Sequence, residues 1–133
     1  MKKPSVLDSF ALIAYLGRER GFEGVRTLLH EAEASGEPLR MNEINVGEVY
    51  YLIAKERLIQ KAEEFLHRLE TLPIRVLANT FSQVLDAARL KAQFPVSYAD
   101  AFAIAAAIRE NARLVTGDPE LRSVAHLIDI AWI

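Results

Sequence analysis

The sequence predicts an α/β fold of three layers, in which a central parallel sheet of four to five short strands lies between two layers of helices. Two observations support this prediction. Short apolar segments of strand length alternate along the chain with longer amphipathic segments, which is typical of strand–helix–strand units. Hydrophobic residues make up 51% of the 133 residues, enough to cover both faces of a sheet. The length is ordinary for one domain, so we expect residues 1–133 to form a single domain.

Five short segments are predicted as strands. Ser5–Leu7 is an apolar run that stops at Asp8-Ser9, and these two residue types are favoured where a helix begins. Residues 74–77 follow Pro73, which interrupts the preceding helical pattern. The other predicted strands are residues 39–41, residues 114–116 and a final segment near residues 127–130.

Helical periodicity fills the segments between these strands. Residues 10–16 are predicted as a short helix that ends at Gly17, and residues 21–34 place Val25, Leu28, Leu29 and Ala32 on one face. Residues 98–110 are apolar on nearly every side, as a buried helix is. The remaining predicted helices are residues 44–56, residues 59–69, residues 81–91 and a short one at residues 119–124.

The composition excludes several kinds of site. No cysteine is present, so disulfides, thiolate chemistry and zinc sites built on Cys are ruled out. The spacing of His30, His67 and His126 is not that of metal ligands, and we expect them on helices or the surface. A net charge of −2 and a pI near 5.9 do not by themselves indicate a nucleic-acid-binding protein.

The chain is predicted to be cytoplasmic, without a membrane span. No apolar run reaches the roughly 18 residues that a span requires. The start, Met1-Lys2-Lys3 followed by apolar residues, resembles a secretory signal, but Asp8 interrupts the apolar stretch. We therefore interpret this stretch as the first strand of the domain.

Four carboxylates occupy apolar or structurally special places in this pattern. Asp8 ends the first strand, and Asp118 follows residues 114–116 and precedes Pro119; each can act simply as a helix N-cap. Asp100 begins an apolar helix, where an acid also interacts favourably with the helix dipole. Glu48 lies on a largely apolar helix face, where a carboxylate costs free energy unless it reaches water at the rim of the domain.

Taken together, the four acids predict a metal site. Parallel strands place Asp8 and Asp118 at the same edge of the sheet, and the helices carrying Asp100 and Glu48 can pack over that edge. Ionised carboxylates about 4–6 Å apart repel one another by roughly 4 kcal/mol per pair at an effective dielectric near 20. Such a cluster either retains protons or binds cations, and oxygen-only ligands favour Mg²⁺ or Mn²⁺.

Four segments around these acids carry the pattern of a known family. They are Val-Leu-Asp-Ser at 6–9, Asn-Val-Gly-Glu-Val-Tyr-Tyr at 45–51, Ser-Tyr-Ala-Asp-Ala at 97–101 and Leu-Val-Thr-Gly-Asp at 114–118. In their order and spacing they resemble the PIN-domain ribonucleases, and closely the VapC-type toxins of type II toxin–antitoxin systems. The resemblance covers nearly the whole chain and implies a PIN-like α/β/α fold.

The resemblance also implies an activity and a site. It implies an endoribonuclease that hydrolyses RNA phosphodiesters with water activated by Mg²⁺, for which Mn²⁺ can substitute, leaving 5′-phosphate and 3′-hydroxyl ends. By position, Asp8, Glu48, Asp100 and Asp118 match the acidic quartet that is catalytic and binds the metal. Ser9 and Thr116 match supporting polar positions, and Asn45, one turn before Glu48, is expected to help orient it.

Partners are implied as well. A VapC-like toxin is held inactive by a small VapB-like antitoxin that covers the acidic cleft, and homodimers are usual. RNA also requires cations on the protein, since its phosphates carry one charge each. The candidates for phosphate contacts are Arg18, Arg20, Arg89 and Lys91, each of which can equally be a solvated surface charge.

Three alternatives stay open at this point. The first is a PIN nuclease that processes housekeeping RNA and has no antitoxin. The second is a non-catalytic PIN scaffold, which the intact acidic quartet argues against. The third is a phospho-receiver domain; that class needs an acidic pair after the first strand and a phospho-accepting Asp after the third, where this chain has Asp8-Ser9 and Ala78-Asn79.

Overall fold

The computed structural model describes residues 3–133, so Met1 and Lys2 of the signal-like start lie outside the described residues. Its strands are β1 (Ser5–Leu7), β2 (Leu39–Asn42), β3 (Ile74–Leu77), β4 (Arg113–Thr116) and β5 (Asp129–Trp132). Its helices are α1 (Ser9–Leu16), α2 (Phe22–Ser35), α3 (Glu43–Glu56), α4 (Ile59–Thr71), α5 (Phe81–Gln93) and α6 (Tyr98–Arg109), followed by a 3₁₀ turn at Pro119–Val124.

The five strands form one parallel sheet in the order β3-β2-β1-β4-β5. This confirms the predicted α/β class and the parallel sheet. The chain leaves the central strand β1 towards β2 and β3, and later returns to the other side of β1 for β4 and β5. The connections from β1 and β4 therefore diverge, which makes the carboxyl ends of these two strands the topological switch point where open α/β sheets bind ligands.

Alternation along the strands builds two cores, one on each face of the sheet. Val6 and Leu114 point into a core with α5 and α6, whereas Leu7 and Val115 point into a core with α1, α2, α3 and α4. Successive side chains of a strand point to opposite faces of the sheet, which accounts for this division. The result is the predicted three-layer arrangement, with two helices on one face and four on the other.

The last strand differs from its predicted position. The sequence predicts it near residues 127–130, but pairing with β4 begins only at Asp129, opposite Arg113, and ends at Trp132 opposite Thr116. The N–H of Leu127 donates to the carbonyl of Val124 at 2.9 Å, so the chain is still in a turn there. The apolar pair Leu127-Ile128 therefore belongs partly to this turn, although its composition is typical of a strand.

The helix α6 is the most buried helix of the fold. All residues from Asp100 to Ala107 are buried, which agrees with the apolar pattern on every side of this segment. Among residues 3–133, no helix is long and apolar enough to cross a bilayer. The burial of α6 thus comes from its packing between α5 and the sheet.

We expect Ile104→Ala to lower the free energy of unfolding by about 2–5 kcal/mol, because Ile104 is fully buried and its truncation leaves a cavity. The matched control is Ile108→Ala, one turn further along α6, where the side chain is 49% exposed and we expect a loss below about 1 kcal/mol. Urea denaturation of both variants measures the difference. Equal losses would contradict the core position of Ile104.

Candidate active site

Asp8 is a buried acid at the carboxyl end of β1. Its side chain has no exposed surface and caps α1, with Oδ1 accepting a hydrogen bond from the N–H of Ala11 at 2.8 Å. Its other oxygen, Oδ2, is buried and has no partner of hydrogen-bond geometry within residues 3–133. The predicted N-cap role is therefore real, but it uses only one of the two oxygens.

The protonation of Asp8 follows from this burial. The pKa of Asp8 is raised to about 7, chiefly by burial and to a smaller extent by the negative charges of Asp100 and Asp118. The Thr116 hydroxyl and the Ala11 N–H act in the opposite direction. Without a cation, the carboxyl group therefore retains a proton to nearly neutral pH.

Asp100 lies in the first turn of α6, opposite the end of the sheet. Its side chain is buried, and its backbone N–H donates to the hydroxyl of Ser97, the N-cap, at 3.1 Å. Burial raises the pKa of Asp100 to about 6, and the charges of Asp118, Glu48 and Glu120 raise it too, whereas the Ser97 hydroxyl lowers it. Asp100 thus interacts with every other acid of the site and is its centre.

Asp118 follows β4 and caps the 3₁₀ turn. Its Oδ1 accepts from the N–H of Glu120 at 2.9 Å, and its own N–H donates to the Thr116 hydroxyl at 3.0 Å. Single carboxylate oxygens of Asp100, Asp118 and Glu120 lie within 4.8 Å of one another. That spacing allows the three oxygens to bind one cation.

Glu120 does not stand out in the sequence. It is exposed, and an acid in the first turn of a short helix is common there. The signal that could have indicated it is its position two residues after Asp118, across Pro119, because the tight turn brings both acids to the same edge of the sheet.

Glu48 lies in the interior of α3. It is half-buried on α3, and the hydroxyl of Tyr51 donates to its Oε2 at 3.4 Å. Its charge contributes to the raised pKa of Asp100. The structure therefore places all four predicted acids, together with Glu120, within electrostatic reach of Asp100.

The predicted polar residues connect the elements that carry these acids. Asn45 donates through Nδ2 to the carbonyl of Ala99 at 3.0 Å and to the Ser9 hydroxyl at 3.4 Å. The Ser9 hydroxyl in turn donates to the Asn45 carbonyl at 3.3 Å. Asn45 thus ties α3 to the beginnings of α1 and α6, and its hydrogen bonds do not go to Glu48.

The four predicted phosphate contacts lie in the turn between α1 and α2 and on α5. Arg18 is held over the ring of Phe22 between α1 and α2, and Arg20 is exposed nearby. Arg89 pairs with Asp86 on α5 and lies beside the last turn of α6, whereas Asp100 is in its first turn. Lys91 is exposed in the last turn of α5. None of them forms an ion pair with the acidic cluster in the part of the chain that the structure describes.

Gly117 has no room for a side chain beside Asp118. A Cβ there would overlap Cε1 of Phe10 and lie 3.0 Å from the carbonyl oxygen of Ile133. We expect Gly117→Ala to lower the free energy of unfolding by about 1–3 kcal/mol, because the backbone must shift. In the control Gly47→Ala a Cβ meets nothing within 4 Å, and a helical alanine should stabilise α3 by about 0.5–1 kcal/mol. Thermal unfolding measures whether each variant is less or more stable than the wild type. A change in the same direction in both variants would contradict this packing.

Sequence comparison assigns the family. Residues 5–127 match the family model described as the PIN domain. This chain belongs to the PIN domain family. The match spans β1 to the 3₁₀ turn and includes all five acids. No curated protein matches the sequence significantly.

Solved structures share the fold of this PIN domain. VapBC2 from Rickettsia felis bound to a promoter DNA fragment aligns at 16% identity over 97% of this chain and 98% of that chain, with a TM-score of 0.73. The sarcin-ricin loop cleaving toxin VapC20 of Mycobacterium tuberculosis aligns at 16% identity over 90% and 94%, with a TM-score of 0.70. FitAcB from Neisseria gonorrhoeae aligns at 21% identity over 96% of both chains, with a TM-score of 0.67. The structural neighbours thus include a VapC toxin and a VapBC complex.

The acidic cluster of this PIN domain is compatible with a divalent cation. The unpartnered Oδ2 of Asp8 is a buried acceptor that a cation can satisfy, and three further oxygens lie close enough to share one ion. Carboxylate oxygens without nitrogen or sulfur ligands suit Mg²⁺ and Mn²⁺. These residues therefore fit the metal that the fold implies.

Proposed function

We propose that this PIN domain is an endoribonuclease that depends on Mg²⁺, for which Mn²⁺ can substitute. The observation that supports this most strongly is the group of acids at the switch point of the sheet, where burial raises the pKa of Asp8 and Asp100. A buried carboxylate oxygen without a hydrogen-bond partner, such as Oδ2 of Asp8, costs free energy unless a proton or a cation compensates it. This arrangement is explained if these acids are ligands for a cation and do not act only as helix caps.

In this proposal Asp8, Asp100, Asp118 and Glu48 would hold the metal and are the catalytic acids. When bound, a divalent cation supplies a Lewis acid and an activated water for attack on a phosphodiester. The protein itself contributes position: Ser97 fixes the first turn of α6, and Asn45 and Ser9 fix α3 and α1 against it. Phosphoryl transfer depends mainly on such positioning and on charge stabilisation, so no covalent intermediate on the protein is required.

We further propose that the protein is the toxin of a VapBC-type pair in the cytoplasm. The structural neighbours include VapBC complexes, and this supports a small VapB-like antitoxin as the partner. The half-exposed Tyr51 and Ile44, seven residues apart on α3, provide apolar surface for a homodimer or for the antitoxin. An antitoxin that covers the acids would keep RNA away from Asp100.

The test is cleavage of a structured RNA by the purified, partner-free protein with Mg²⁺, with Mn²⁺ or with EDTA. We expect metal-dependent cleavage that leaves 5′-phosphate and 3′-hydroxyl ends, and none with EDTA. Co-purification of a small protein that suppresses the cleavage would support the toxin role over a housekeeping nuclease. Metal-independent cleavage, or neither cleavage nor metal-induced stabilisation, would contradict the proposal.

A further inference from the structure

A second charged site lies at the far end of α1 from Asp8. A cavity of about 380 Å³ opens between α1, α2 and α4, and we call it the basic cavity. Its charged lining consists of three arginines, one carboxylate and one histidine. These residues are Arg18, Arg26, Arg68, Glu23 and His30. Cations exceed anions here, although the whole chain carries a net charge of −2.

Two of the arginines are held in place by stacked aromatic rings. Tyr15 and Phe22 stack with their ring centroids 5.5 Å apart and an angle of 11° between the planes. The Arg18 guanidinium lies 5.5 Å from the Phe22 centroid, and that of Arg68 lies 5.3 Å from the Tyr15 centroid. Both separations are within the range of cation–π attraction.

Neither of these two arginines forms an ion pair within residues 3–133, whereas Arg26 lies 3.8 Å from the carboxylate of Glu23. Arg18 also has a φ of 52°, a left-handed conformation that costs free energy for any residue except glycine. The fold thus holds fixed guanidinium groups whose N–H donors lack an anion.

The basic cavity is joined to the acidic cluster through Ile133. The Ile133 N–H donates to the Thr116 carbonyl at 3.0 Å, and its carbonyl oxygen lies beside Gly117. Its side chain packs against Gly21 and Gly24, where a Cβ would lie 3.0 Å from it. The residues next to Asp118 and the residues next to Phe22 therefore contact the same residue, Ile133.

We propose that the basic cavity binds phosphates of the RNA substrate outside the acidic cleft; this inference rests on the proposed function. The acids repel the backbone of RNA, so binding requires cations elsewhere, and guanidinium groups bind phosphates through paired N–H donors. The α1 helix of eight residues separates Asp8 from Arg18 by about 12 Å, at 1.5 Å per residue. Only an RNA of several nucleotides can occupy both sites.

The first test is binding of a labelled single-stranded RNA of about 20 nucleotides in EDTA, which prevents cleavage, at several salt concentrations. In Arg18→Gln/Arg68→Gln we expect binding about tenfold weaker and the salt slope smaller by about 1.4, because each phosphate that an arginine neutralises contributes about 0.7 to the slope. The matched control is Arg75→Gln/Arg109→Gln, which removes the same charge from β3 and from the last turn of α6, where neither residue lines the cavity, and should leave the slope unchanged. An equal effect in both double variants would overturn the proposal.

A second variant acts in the opposite direction, so that misfolding cannot imitate its effect. Glu23→Gln removes the carboxylate of the basic cavity and should strengthen RNA binding several-fold, whereas Glu33→Gln on the exposed part of α2 should not. No strengthening in Glu23→Gln would overturn the proposal. Competition by polyglutamate as effective as that by RNA of equal charge would assign the cavity to an acidic protein instead and would also overturn it.

The kinetics separate this inference from the proposed function. In Arg18→Gln/Arg68→Gln we expect KM to rise for the long RNA but not for a dinucleotide, which is too short to occupy both sites, with kcat unchanged for both. If the wild-type protein binds RNA through the cavity but cleaves none, the nuclease proposal fails and the RNA site stands. If it cleaves and the double variant has an unchanged KM for long RNA, the RNA site fails alone.

Discussion

Replacing Asp100 with Asn should lower the rate of metal-dependent RNA cleavage by at least about 100-fold. Asp100 is the acid that interacts with Asp118, Glu48 and Glu120, and its charge also reaches Asp8. An Asn of the same shape keeps the Ser97 cap of α6, because that hydrogen bond comes from the backbone N–H. The loss should therefore be confined to the site and should not reflect unfolding.

The matched control is Asp86→Asn, which makes the same chemical change on the exposed face of α5. Single-turnover cleavage with saturating Mn²⁺, together with thermal unfolding, compares the two variants. We expect Asp86→Asn to cleave at the wild-type rate. Cleavage that persists in Asp100→Asn would place the activity at another site or in a contaminating nuclease.

The second large effect is on the metal-free stability as a function of pH. The pKa of Asp8 is about 7 in the folded chain and 3.8 for an unperturbed aspartate, so the unfolded chain loses this proton at lower pH than the folded chain. The contribution of Asp8 to the free energy of unfolding is therefore fully present below about pH 4 and is lost as pH rises through about 7. The shift corresponds to a loss on the order of 4 kcal/mol for Asp8, and the raised pKa of Asp100 acts in the same direction.

Asp8→Asn should remove most of this pH dependence. Asn remains a good N-cap for α1 and carries no charge, so at pH 8 without metal the variant should be more stable than the wild type by up to about 4 kcal/mol. At pH 4 the two should differ by less than about 1 kcal/mol. Urea denaturation in EDTA at both pH values measures this, and a variant that is less stable at pH 8 would show that the Asp8 charge is already compensated within the protein.

Much of the fold followed from the sequence because its signals are local. The apolar run before Asp8 and the alanine-rich segment after Asp100 each specify an element on their own, and the parallel sheet follows from the alternation of strands with helices. The start of β5 was predicted two residues too early because its limits depend on pairing with Arg113, which no residue near Leu127 specifies. Tertiary register, rather than composition, determines where that strand begins.

The sequence likewise predicted some residues of the site and missed others. The positions of Asp8 and Asp118 followed from the rule that parallel strands end at one edge, and the structure brings them near Asp100. Glu120 was missed because its proximity to Asp100 depends on the tight 3₁₀ turn. The contact of Arg68 with Tyr15 could not be predicted either, because it joins helices that are far apart in the sequence.

Binding of a divalent cation to the acidic cluster can be measured by titration calorimetry with Mn²⁺ at pH 6 and pH 8. We expect saturable binding that is tighter at pH 8, because the cation must displace the protons that Asp8 and Asp100 still hold at pH 6. We also expect proton release at pH 6, and loss of binding in Asp100→Asn but not in Asp86→Asn. Absence of binding at both pH values, or binding unchanged in Asp100→Asn, would show that these acids do not form a metal site.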